Sequence, residues 1–507
     1  MLAGPLSSGH VIAAPAKELA GLPAVLGAPE VVGTLAGVWE RVQYDSRAVG
    51  KGDLFVAIHG GRSDGHGFLR AALERGAAAA VVETPVRDLQ IPQIRVPDSR
   101  RALALLAAEE TGHPSRELLM VGVTGTNGKT TTVHLIRGAL AARGDRVGVI
   151  GTVGYAFEGA EEPARHTTPE APDLSRLLRR WRDRGATAVA MEVSSHALAL
   201  DRTYGVAFDT GVFTNLTQDH LDFHGTLEAY RDAKSRLFRA ETRGDRSKPF
   251  TGVVNMDDPA GRWIRKRGDS PFLGFGVKSA AEVTAEDVRF DPAGTRFRVR
   301  TAHGSYSVAL RLRGAFNVMN ALAAFSGCMA VGLPPAVIAA GLESVASVPG
   351  RLEPVESGQP FQVLVDYAHT PDALERSLEA VRAMRPRRVL CVFGAGGDRD
   401  RGKRPLMGQA AVRGADLVFL TSDNPRSEDP NVILAEIVAG TEGATNVRVI
   451  ADRTEAIRAA IEACQAGDVL LIAGKGHETY QILSDRTIVL DDRDVARRAL
   501  EARGFRP

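Results

Sequence analysis

Cysteine is scarce in this 507-residue chain, which contains only Cys328, Cys391 and Cys464. Three cysteines that lie far apart form neither a disulfide framework nor a CxxC metal site, and they suit a reducing cytoplasm. An excess of charge of one sign is also missing, because 63 Lys and Arg residues are matched by 61 Asp and Glu residues. The formal net charge of +2 argues against a protein that coats nucleic acid or anionic lipid. We therefore expect a cytoplasmic protein with no nucleic-acid partner.

Long hydrophobic runs are absent as well. Residues 1–21 lack a basic segment followed by a continuous apolar stretch, which excludes a plain export signal. No later window offers about 18 uncharged apolar residues, so we expect no membrane partner. The composition is that of an ordinary globular protein, with 44% hydrophobic and 24% charged residues. At about 150 residues per domain, the length predicts about three domains.

Short apolar runs separated by glycine and proline are typical of alternating strands and helices, so the sequence predicts the α/β class. Residues 282–312 alternate at period two, which predicts a small antiparallel excursion from an otherwise mostly parallel sheet. The predicted strands of that central sheet lie at 118–123, 147–152, 187–193 and 210–215.

Two breaks in the pattern predict the domain boundaries. A proline-containing linker ends at residue 115, and a Pro-Gly break occurs at residues 349–350. Five further apolar runs follow the second break and predict another α/β unit. The predicted domains are therefore 1–115, 116–349 and 350–507.

Residues 122–132, GVTGTNGKTTT, follow an apolar strand and precede a helical pattern. A Gly-rich turn in this context presents backbone N–H groups and the positive end of a helix dipole to phosphate oxygens. Lys129 is placed to neutralise the outer phosphates, and Thr130 to ligate Mg²⁺. The loop is a variant, because Val123 stands where the strict GxxxxGK[ST] spacing has glycine. The alternative is a glycine-rich turn that binds nothing, and a P-loop by itself does not name a reaction.

Polar residues follow two of the predicted strands, where ligands of open α/β sheets bind. Glu192 interrupts the apolar run 187–193. A buried charge is costly unless it is paired or metal-bound, so Glu192 is a candidate Mg²⁺ ligand. The loop at 214–225 gathers four further groups that favour metal or phosphate binding over helix capping. These groups are Asp219, His220, Asp222 and His224.

Several motifs together resemble the Mur ligases, the ATP-dependent amide-forming enzymes of peptidoglycan synthesis. They are GVTGTNGKTTT at 122–132, MEVSSH at 191–196, NLTQDHLDFHG at 215–225, YRDAKSRLF at 230–238, GAFNVMNALAA at 314–324 and PGRLE at 349–353. The similarity extends from residues 44–60 to residues 473–481 and covers nearly the whole chain. It implies three domains: one for a uridine nucleotide, a central P-loop ATPase, and a C-terminal Rossmann-like domain that closes over the site.

The resemblance also implies a metal site. Lys234 matches the lysine that the family carbamylates with CO₂, although sequence alone favours an ordinary helix-face lysine. An ammonium repels Mg²⁺, whereas a carbamate offers anionic oxygens. The implied metal ligands are Thr130, Glu192, His220 and Lys234, and the implied catalytic residues are Lys129, Lys234, Glu192 and His220. The implied ATP-binding residues are Gly125, Thr126, Asn127, Gly128, Lys129, Thr130, Thr131, Asn317, Arg351, Asp366 and His369.

Residues that match the family's contacts to the muramoyl dipeptide nucleotide lie in the first two predicted domains. They are Ser46, Thr167, Thr168, Ser194 and Arg202. Arg202 suits a carboxylate clamp, because its planar guanidinium pairs with two oxygens. Without the resemblance, the residues around Ser46 would be interpreted as an Asp-Ser turn. Leu200 occupies a position where some relatives carry glutamine, so one polar contact is expected to be missing.

The segment SDNPRSEDP at 422–430 bears on the amino-acid substrate. Its Asp-Asn-Pro-Arg sequence resembles that of family members that add meso-diaminopimelate, whereas lysine-adding members lack the arginine. Arg426 rewards a distal carboxylate and disfavours a substrate with an extra ammonium there. The implied amino-acid-binding residues are Arg399, Asp423, Asn424, Pro425, Arg426, Gly474 and Glu478. Lysine or ornithine stays open as the alternative, because one position decides the choice.

The resemblance implies that the D-glutamyl γ-carboxylate of UDP-N-acetylmuramoyl-L-alanyl-D-glutamate attacks the γ-phosphate of ATP, and that an amine then displaces phosphate from the acyl phosphate. ATP and Mg²⁺ are the expected cofactors, the other partners are small-molecule substrates, and we expect a monomer. One rival is another ligase of the superfamily, such as folylpolyglutamate synthetase. A second rival is a P-loop nucleotide switch without ligase chemistry, which leaves Lys234 and Arg426 unexplained.

Overall fold

The structure is a computed structural model that describes residues 17–27, 30–60, 63–291 and 294–506. Most of the opening segment that the sequence analysis excludes as an export signal, residues 1–16, lies outside the described residues. Within the described ranges, no helix combines the length and apolar character needed to cross a bilayer.

The N-terminal unit has a small sheet covered by helices. Its described strands are β1 (Lys17–Glu18), β2 (Glu30–Val32), β3 (Val38–Trp39), β4 (Val42–Gln43), β5 (Leu54–Val56), β6 (Ala79–Val82) and β7 (Gln93–Arg95), and its helices are α1 (Leu22–Val25), α2 (Leu69–Glu74) and α3 (Ser99–Thr111). The sheet order is β2-β7-β6-β5-β4, with only β2 antiparallel to its neighbour. Strands β1 and β3 form a separate antiparallel pair.

The central unit contains the largest sheet of the described chain. Its strands are β8 (Leu119–Thr124), β9 (Val147–Ile150), β10 (Tyr155–Phe157), β11 (Ala160–Glu162), β12 (Ala188–Glu192), β13 (Thr210–Phe213), β14 (Thr251–Asn255), β15 (Phe272–Gly276), β16 (Val283–Asp291), β17 (Gly294–Thr301) and β18 (Gly304–Leu310). Its helices are α4 (Lys129–Ala142), α5 (Ala171–Asp183), α6 (Ser195–Ala199), α7 (Leu221–His224), α8 (Leu227–Ser235), α9 (Ala240–Arg243), α10 (Pro259–Arg267), α11 (Ala315–Ala330) and α12 (Pro335–Ser344).

The sheet order of the central unit is β11-β10-β9-β12-β8-β13-β14-β15-β16-β17-β18. Strands β9 to β16 in this order are parallel, whereas β10, β11, β17 and β18 add antiparallel pairs at the two ends. Helices α4, α11 and α12 bury one face of the sheet, and α5 and α10 bury the other. Because β8 and β12 are adjacent and parallel, the phosphate loop after β8 and Glu192 at the end of β12 meet at one edge.

The C-terminal unit is a second, smaller parallel sheet between helices. Its described strands are β19 (Glu353–Pro354), β20 (Gln362–Asp366), β21 (Val389–Phe393), β22 (Leu417–Leu420), β23 (Val447–Val449), β24 (Val469–Ala473), β25 (Tyr480–Ile482) and β26 (Thr487–Val489), and its helices are α13 (Pro371–Ala383), α14 (Lys403–Gly414), α15 (Pro430–Val438), α16 (Arg453–Ala463) and α17 (Asp492–Ala502). The order is β19-β20-β24-β21-β22-β23, with β19 antiparallel and β25 and β26 forming a separate hairpin.

The predicted α/β class is confirmed, as is the antiparallel excursion, which β16, β17 and β18 form. The sequence analysis did not predict β14 and β15, which extend the parallel sheet, or the hairpin of β25 and β26. Each of these strands is only three to five residues long, so its apolar pattern is brief.

We predict that Gly341→Ala destabilises the central unit by about 1–3 kcal/mol, because the core there is already closely packed. Helices α4 and α12 meet at Gly138 and Gly341, and a Cβ atom on Gly341 would overlap the backbone of Ala139. The helices would have to move apart. A lower urea midpoint of unfolding measures the effect. Ala340→Ser on the exposed side of α12 is the control, with an expected change below about 0.5 kcal/mol. Equal midpoints for both variants would refute the packing argument.

Candidate active site

The phosphate loop between β8 and α4 requires glycine at two positions. Gly125 has φ 147° and Gly128 has φ 86°, and side chains strain at such angles. A Cβ on Gly125 would overlap the hydroxyl of Thr214, and one on Gly128 would overlap the amide oxygen of Asn320. Neighbouring side chains therefore press directly against the loop backbone. This close approach leaves no room for a side chain at either position.

Two lysines converge on the same carbonyl of the loop. Lys129 Nζ donates to Gly125 O at 2.9 Å and to Thr126 O at 2.8 Å, and Lys234 Nζ donates to Gly125 O at 2.7 Å. Lys234 is only 1% exposed, and its ammonium lies 4.2 Å from the ring centre of Tyr230. Burial lowers the pKa of both lysines, and the charge of Lys129 lowers that of Lys234 further. The two amines therefore meet at the loop backbone, where Lys129 is placed to contact a phosphate and the neutral form of Lys234 is favoured.

Glu192 faces this spot from the end of β12 and is 1% exposed. Its Oε1 accepts hydrogen bonds from Thr130 Oγ1 at 2.9 Å and from Thr152 N at 2.9 Å, and its Oε2 accepts one from Thr152 Oγ1 at 3.1 Å. These bonds offset the cost of burying the carboxylate. The sequence analysis missed Thr152, which lies just beyond β9 and carries no motif that marks it as a ligand to Glu192.

The loop before α7 brings several rings together. His196 lies edge-on to His220 with ring centres 4.8 Å apart, and His224 Nε2 is 3.0 Å from Ser195 Oγ. The side chain of His220 is 43% exposed, and desolvation of its inner face lowers the pKa of the imidazole to about 4. The neutral form keeps a lone pair for a ligand. Asp222 is exposed and stands outside the ring cluster.

Asp219 provides the negative charge of this loop. Burial raises its pKa, but the positive influence of His220, His369 and Lys403 outweighs burial and lowers the pKa on balance. Two of these residues, His369 and Lys403, come from the C-terminal unit. Asp219 is therefore placed where the two units face each other.

Residues of the C-terminal unit and the segment before it reach the phosphate loop directly. Arg351 Nη2 donates to Thr130 Oγ1 at 2.9 Å. Asp372 Oδ2 accepts from Asn127 Nδ2 at 2.8 Å. His477 Nε2 lies 3.1 Å from Thr152 O. The C-terminal unit thus packs against the loop and against the residue that holds Glu192.

Asn317, one of the predicted ATP-binding residues, is linked to the phosphate loop by Asn320, which the sequence did not single out. Asn320 Nδ2 donates to Asn317 Oδ1 at 2.9 Å, and Asn320 presses against Gly128. Asn320 could have been identified from the sequence, because it lies three residues after Asn317 and both side chains are therefore on one face of the helix. Thr131 is buried in the first turn of α4.

Asp366 and His369 hold the chain between β20 and α13. Asp366 accepts hydrogen bonds from Leu352 N, Ala368 N and Ser377 Oγ at 2.8–3.0 Å. Both of its oxygens are therefore engaged near their own strand. His369 Nδ1 lies 2.8 Å from Tyr367 O and so donates to it, and burial lowers the pKa of His369 to about 4.

Four predicted substrate contacts gather beside Glu192. Thr168 Oγ1 donates to Glu192 O at 2.9 Å and accepts from Ser194 N at 3.0 Å, and Thr167 Oγ1 lies 3.1 Å from Thr152 Oγ1. Arg202 Nη1 donates to Thr168 O at 3.1 Å. The hydroxyl groups form one polar wall that continues from the carboxylate of Glu192.

One feature of this wall was not expected. Arg202 Nε lies 2.9 Å from Glu170 Oε1, as an ion pair without an aligned hydrogen bond, so a protein carboxylate occupies the predicted clamp. Ser46 stands apart from these contacts, in a short turn of the N-terminal unit whose cap is the side chain of Asp45.

The predicted amino-acid contacts form a pocket at the ends of β22 and β24. Asn424 Nδ2 donates to Glu478 Oε2 at 2.8 Å, and the buried Lys475 donates to the same oxygen at 3.1 Å. Asp423 is buried, yet its Oδ2 accepts no hydrogen bond. A Cβ on Gly474 would come within 2.6 Å of that oxygen. This oxygen is enclosed by the protein and lies directly beside the backbone of Gly474.

Arginine lies at the other end of this pocket. Arg426 adopts φ 54° and donates from Nη1 to Gly397 O at 2.7 Å. A Cβ on Gly396 would lie 2.9 Å from Arg426 Nη1 and 3.8 Å from Arg399 Cγ, so both arginines line this glycine. The carbonyl of Pro425 presses against Gly397. The pocket therefore has the carboxylates of Asp423 and Glu478 at one end, where Lys475 pairs with Glu478, and guanidinium groups at the other.

Lys403, which the sequence analysis missed, connects the pocket with the phosphate site. It begins α14, and burial lowers its pKa while the charges of Asp219 and Asp423 raise it. The ammonium of Lys403 therefore interacts with Asp219 of the central unit and with Asp423 of the C-terminal unit. In the sequence, only the position of Lys403 a few residues after Arg399 indicates that it belongs to this site.

Comparisons with known proteins show which family this chain resembles. The Mur ligase family, catalytic domain matches residues 39–111, the Mur ligase middle domain matches 123–328, and the Mur ligase, glutamate ligase domain matches 350–476. A curated relative from Geobacillus thermodenitrificans, UDP-N-acetylmuramoyl-L-alanyl-D-glutamate--2,6-diaminopimelate ligase, is 49% identical over 464 residues, covering 91% of this chain and 95% of the relative.

Two solved ligase structures are also similar to this chain. A UDP-N-acetylmuramoyl-L-alanyl-D-glutamate--2,6-diaminopimelate ligase superposes with a TM-score of 0.69 at 33% identity, covering 97% of this chain and 100% of that one. The MurF ligase from Thermotoga maritima in complex with ADP has a TM-score of 0.63 at 22% identity and covers 91% and 98% of the two chains. At 22% identity, the similarity to the second structure shows only that the two chains share a fold.

Replacing Lys234 by methionine is predicted to raise the melting temperature at neutral pH. Burial lowers the pKa of Lys234, so the folded state binds this proton less tightly than the unfolded chain does. Methionine removes that penalty, and Gly125 O keeps its bond from Lys129. The gain should be largest at low pH, shrink as pH rises through the folded-state pKa, and vanish above the ordinary lysine value of 10.5.

Thermal melting over a pH series in CO₂-depleted buffer measures this gain. Lys51→Met, at an exposed lysine, is the matched control and should show no comparable gain at any pH. A lower melting temperature for Lys234→Met at neutral pH would contradict the prediction.

Proposed function

The chain belongs to the Mur ligase family, and we propose that it adds meso-diaminopimelate to the D-glutamyl γ-carboxylate of UDP-N-acetylmuramoyl-L-alanyl-D-glutamate. It is an ATP-dependent ligase that forms an amide bond and contributes to peptidoglycan precursor synthesis. The observation that carries the proposed substrate is the pocket with Asp423 and Glu478 at one end and Arg426 at the other, next to the phosphate loop.

The phosphate loop is proposed to bind the ATP phosphates. The N–H groups at the start of α4 and the ammonium of Lys129 give a positive site for the β- and γ-phosphates. Arg351, which already contacts Thr130, adds a second cation. Asn317 lies beyond Gly128, where we place the adenine.

We propose that Mg²⁺ binds beside this loop. The hydroxyl of Thr130 and the carboxylate of Glu192 are oxygen donors 2.9 Å apart, which suits a hard cation. The neutral imidazole of His220 adds a further donor. When bound, Mg²⁺ neutralises charge on the transferring phosphoryl group.

We propose that Lys234 is carbamylated and completes the metal site. Only a neutral amine attacks CO₂, and burial together with Lys129 favours that neutral form. The resulting carbamate is anionic, so it would face Lys129 as a partner in place of a repelling ammonium. Lys234 thereby changes from a cation to an oxygen donor.

The chemistry follows from these positions. The substrate γ-carboxylate attacks the γ-phosphorus, the bond to the β-phosphate oxygen breaks, and ADP leaves with that electron pair. Lys129 stabilises the negative charge that develops on the phosphoryl oxygens. The amine then attacks the acyl carbon, and phosphate departs with the electron pair of the carbon–oxygen bond. The amine loses a proton as the amide forms, and the departing phosphate can accept it.

Closure of the C-terminal unit protects the acyl phosphate from water. The contacts of Arg351, Asp372 and His477 hold the two units together at the loop. We propose that the units are the domains 1–115, 116–349 and 350–507, and that the first binds the uridine nucleotide through Ser46. We also propose a cytoplasmic monomer, which suits three buried, unpaired cysteines.

The unaltered protein is predicted to release ADP and phosphate only when ATP, the nucleotide dipeptide and meso-diaminopimelate are all present. Arg426→Ala should lower kcat/KM for meso-diaminopimelate by about 100-fold, because a distal carboxylate loses its charged partner. A coupled assay with meso-diaminopimelate, L-lysine and L-ornithine measures the preference.

Arg486→Ala, at an exposed arginine between β25 and β26, is the control and should keep the parent kinetics. Equal turnover with L-lysine or L-ornithine would favour the alternative amino acid. Full preference for meso-diaminopimelate in Arg426→Ala would refute the role of this guanidinium.

Carbamylation predicts one carbamate carbon resonance when the protein is exchanged into ¹³C-bicarbonate. Lys234→Met should remove the resonance and most of the ligase activity, because the metal site loses an anionic donor. Carbon NMR detects the adduct directly. A resonance that persists in Lys234→Met would place the carbamate on another lysine.

A further inference from the structure

The C-terminal unit contains a buried ion pair that the proposed reaction does not yet use. Arg453 begins α16 and Asp492 begins α17, and both side chains are 0% exposed. Arg453 Nε and Nη2 donate to the two oxygens of Asp492 at 2.8 and 2.7 Å. Burying both charges costs hydration, so such a pair adds little net stability. Its presence calls for a role beyond stabilising the fold.

The remaining donors of Arg453 reach the backbone at the pocket. Nη2 donates to Ala473 O at 2.9 Å and Nη1 to Ser422 O at 3.3 Å. Ala473 ends β24, and Ser422 lies just after β22. Strand β21 separates β22 from β24, so these strands share no hydrogen bonds with each other. Arg453 thus ties together two strand ends that the sheet itself does not join.

The next residue along each strand belongs to the pocket. Asp423 follows Ser422, and Gly474 follows Ala473. A Cβ on Gly474 would lie 2.6 Å from Asp423 Oδ2 and 3.9 Å from Arg453 Nη2, so the carboxylate and the guanidinium flank the same glycine. The direction of the unpartnered Asp423 Oδ2 therefore depends on the backbone that Arg453 holds.

We propose that Arg453, fixed by Asp492, is a positioning residue for the amino-acid pocket: it holds Ser422 O and Ala473 O and thereby fixes Asp423 and Gly474, the residues that follow them, where the pocket binds the amino-acid substrate. The inference rests on the proposed function. A lysine at this position keeps the charge but does not reproduce four directed hydrogen bonds from one planar group. Arg453→Lys therefore separates geometry from charge.

Arg388 offers a matched control at the opposite end of the same strands. Its guanidinium bonds both oxygens of Asp468 at 3.3 and 2.6 Å and donates to Ala463 O at 2.9 Å. It lies just before β21, and Asp468 just before β24. Arg388→Lys disturbs a bidentate arginine–aspartate pair in the same sheet, away from the pocket, although Arg388 is 33% exposed and Arg453 is 0% exposed.

The experiment measures kcat and the three KM values for Arg453→Lys, Asp492→Asn and Arg388→Lys, together with their melting temperatures. Arg453→Lys should raise KM for meso-diaminopimelate by about tenfold or more and leave KM for ATP and for the nucleotide dipeptide within about twofold. Asp492→Asn keeps the side-chain shape and should act in the same direction. Arg388→Lys should lower the melting temperature without changing the amino-acid KM.

An unchanged amino-acid KM in Arg453→Lys would overturn the proposal, as would equal changes in all three KM values. Should Arg453→Lys fail to fold, Asp492→Asn supplies the same comparison. If the unaltered protein shows no turnover that depends on meso-diaminopimelate, the proposed function itself fails. If it is active and only the KM pattern is absent, this inference alone fails.

Discussion

The hydrogen bond from Thr130 Oγ1 to the buried carboxylate of Glu192 is the interaction on which the site depends. It joins the loop after β8 to the end of β12, and Thr130 also accepts a bond from Arg351. One hydroxyl group therefore connects two strands of the central sheet with the approach to the C-terminal unit. Because the carboxylate is buried, its position is set by these donors and not by solvent.

Burial explains much of the remaining chemistry. It raises the cost of a charge on Lys234 and keeps His220 neutral, so both groups are prepared to act as donors to a metal ion. The same exclusion of water protects a reactive acyl phosphate. Each of three groups costs folding free energy when it is taken alone. They are the cation at the phosphate loop, the buried carboxylate of Glu192 and the unpartnered oxygen of Asp423. Such costs are expected at a site whose charges are balanced when its substrates bind.

Features that depend on residues close together in the chain could be predicted from the sequence. A strand, a Gly-rich turn and a helix place the loop at 122–132, and the polar end of an apolar strand identifies Glu192. The sequence could not predict contacts between residues that are far apart in the chain. Thr152 and His477, for example, are 325 positions apart and meet only when the central and C-terminal units pack together. Arg453 was missed for the same reason, since the first residue of a surface-like helical pattern gave no sign of complete burial.

The central claim is that the peptide carboxylate takes the terminal phosphoryl group of ATP before the amine attacks. Substrate labelled with ¹⁸O in the D-glutamyl γ-carboxylate tests it most directly. If an acyl phosphate forms, one labelled oxygen leaves with each phosphate, and mass spectrometry of the released phosphate will detect it. Unlabelled phosphate accompanied by full amide formation would contradict the account.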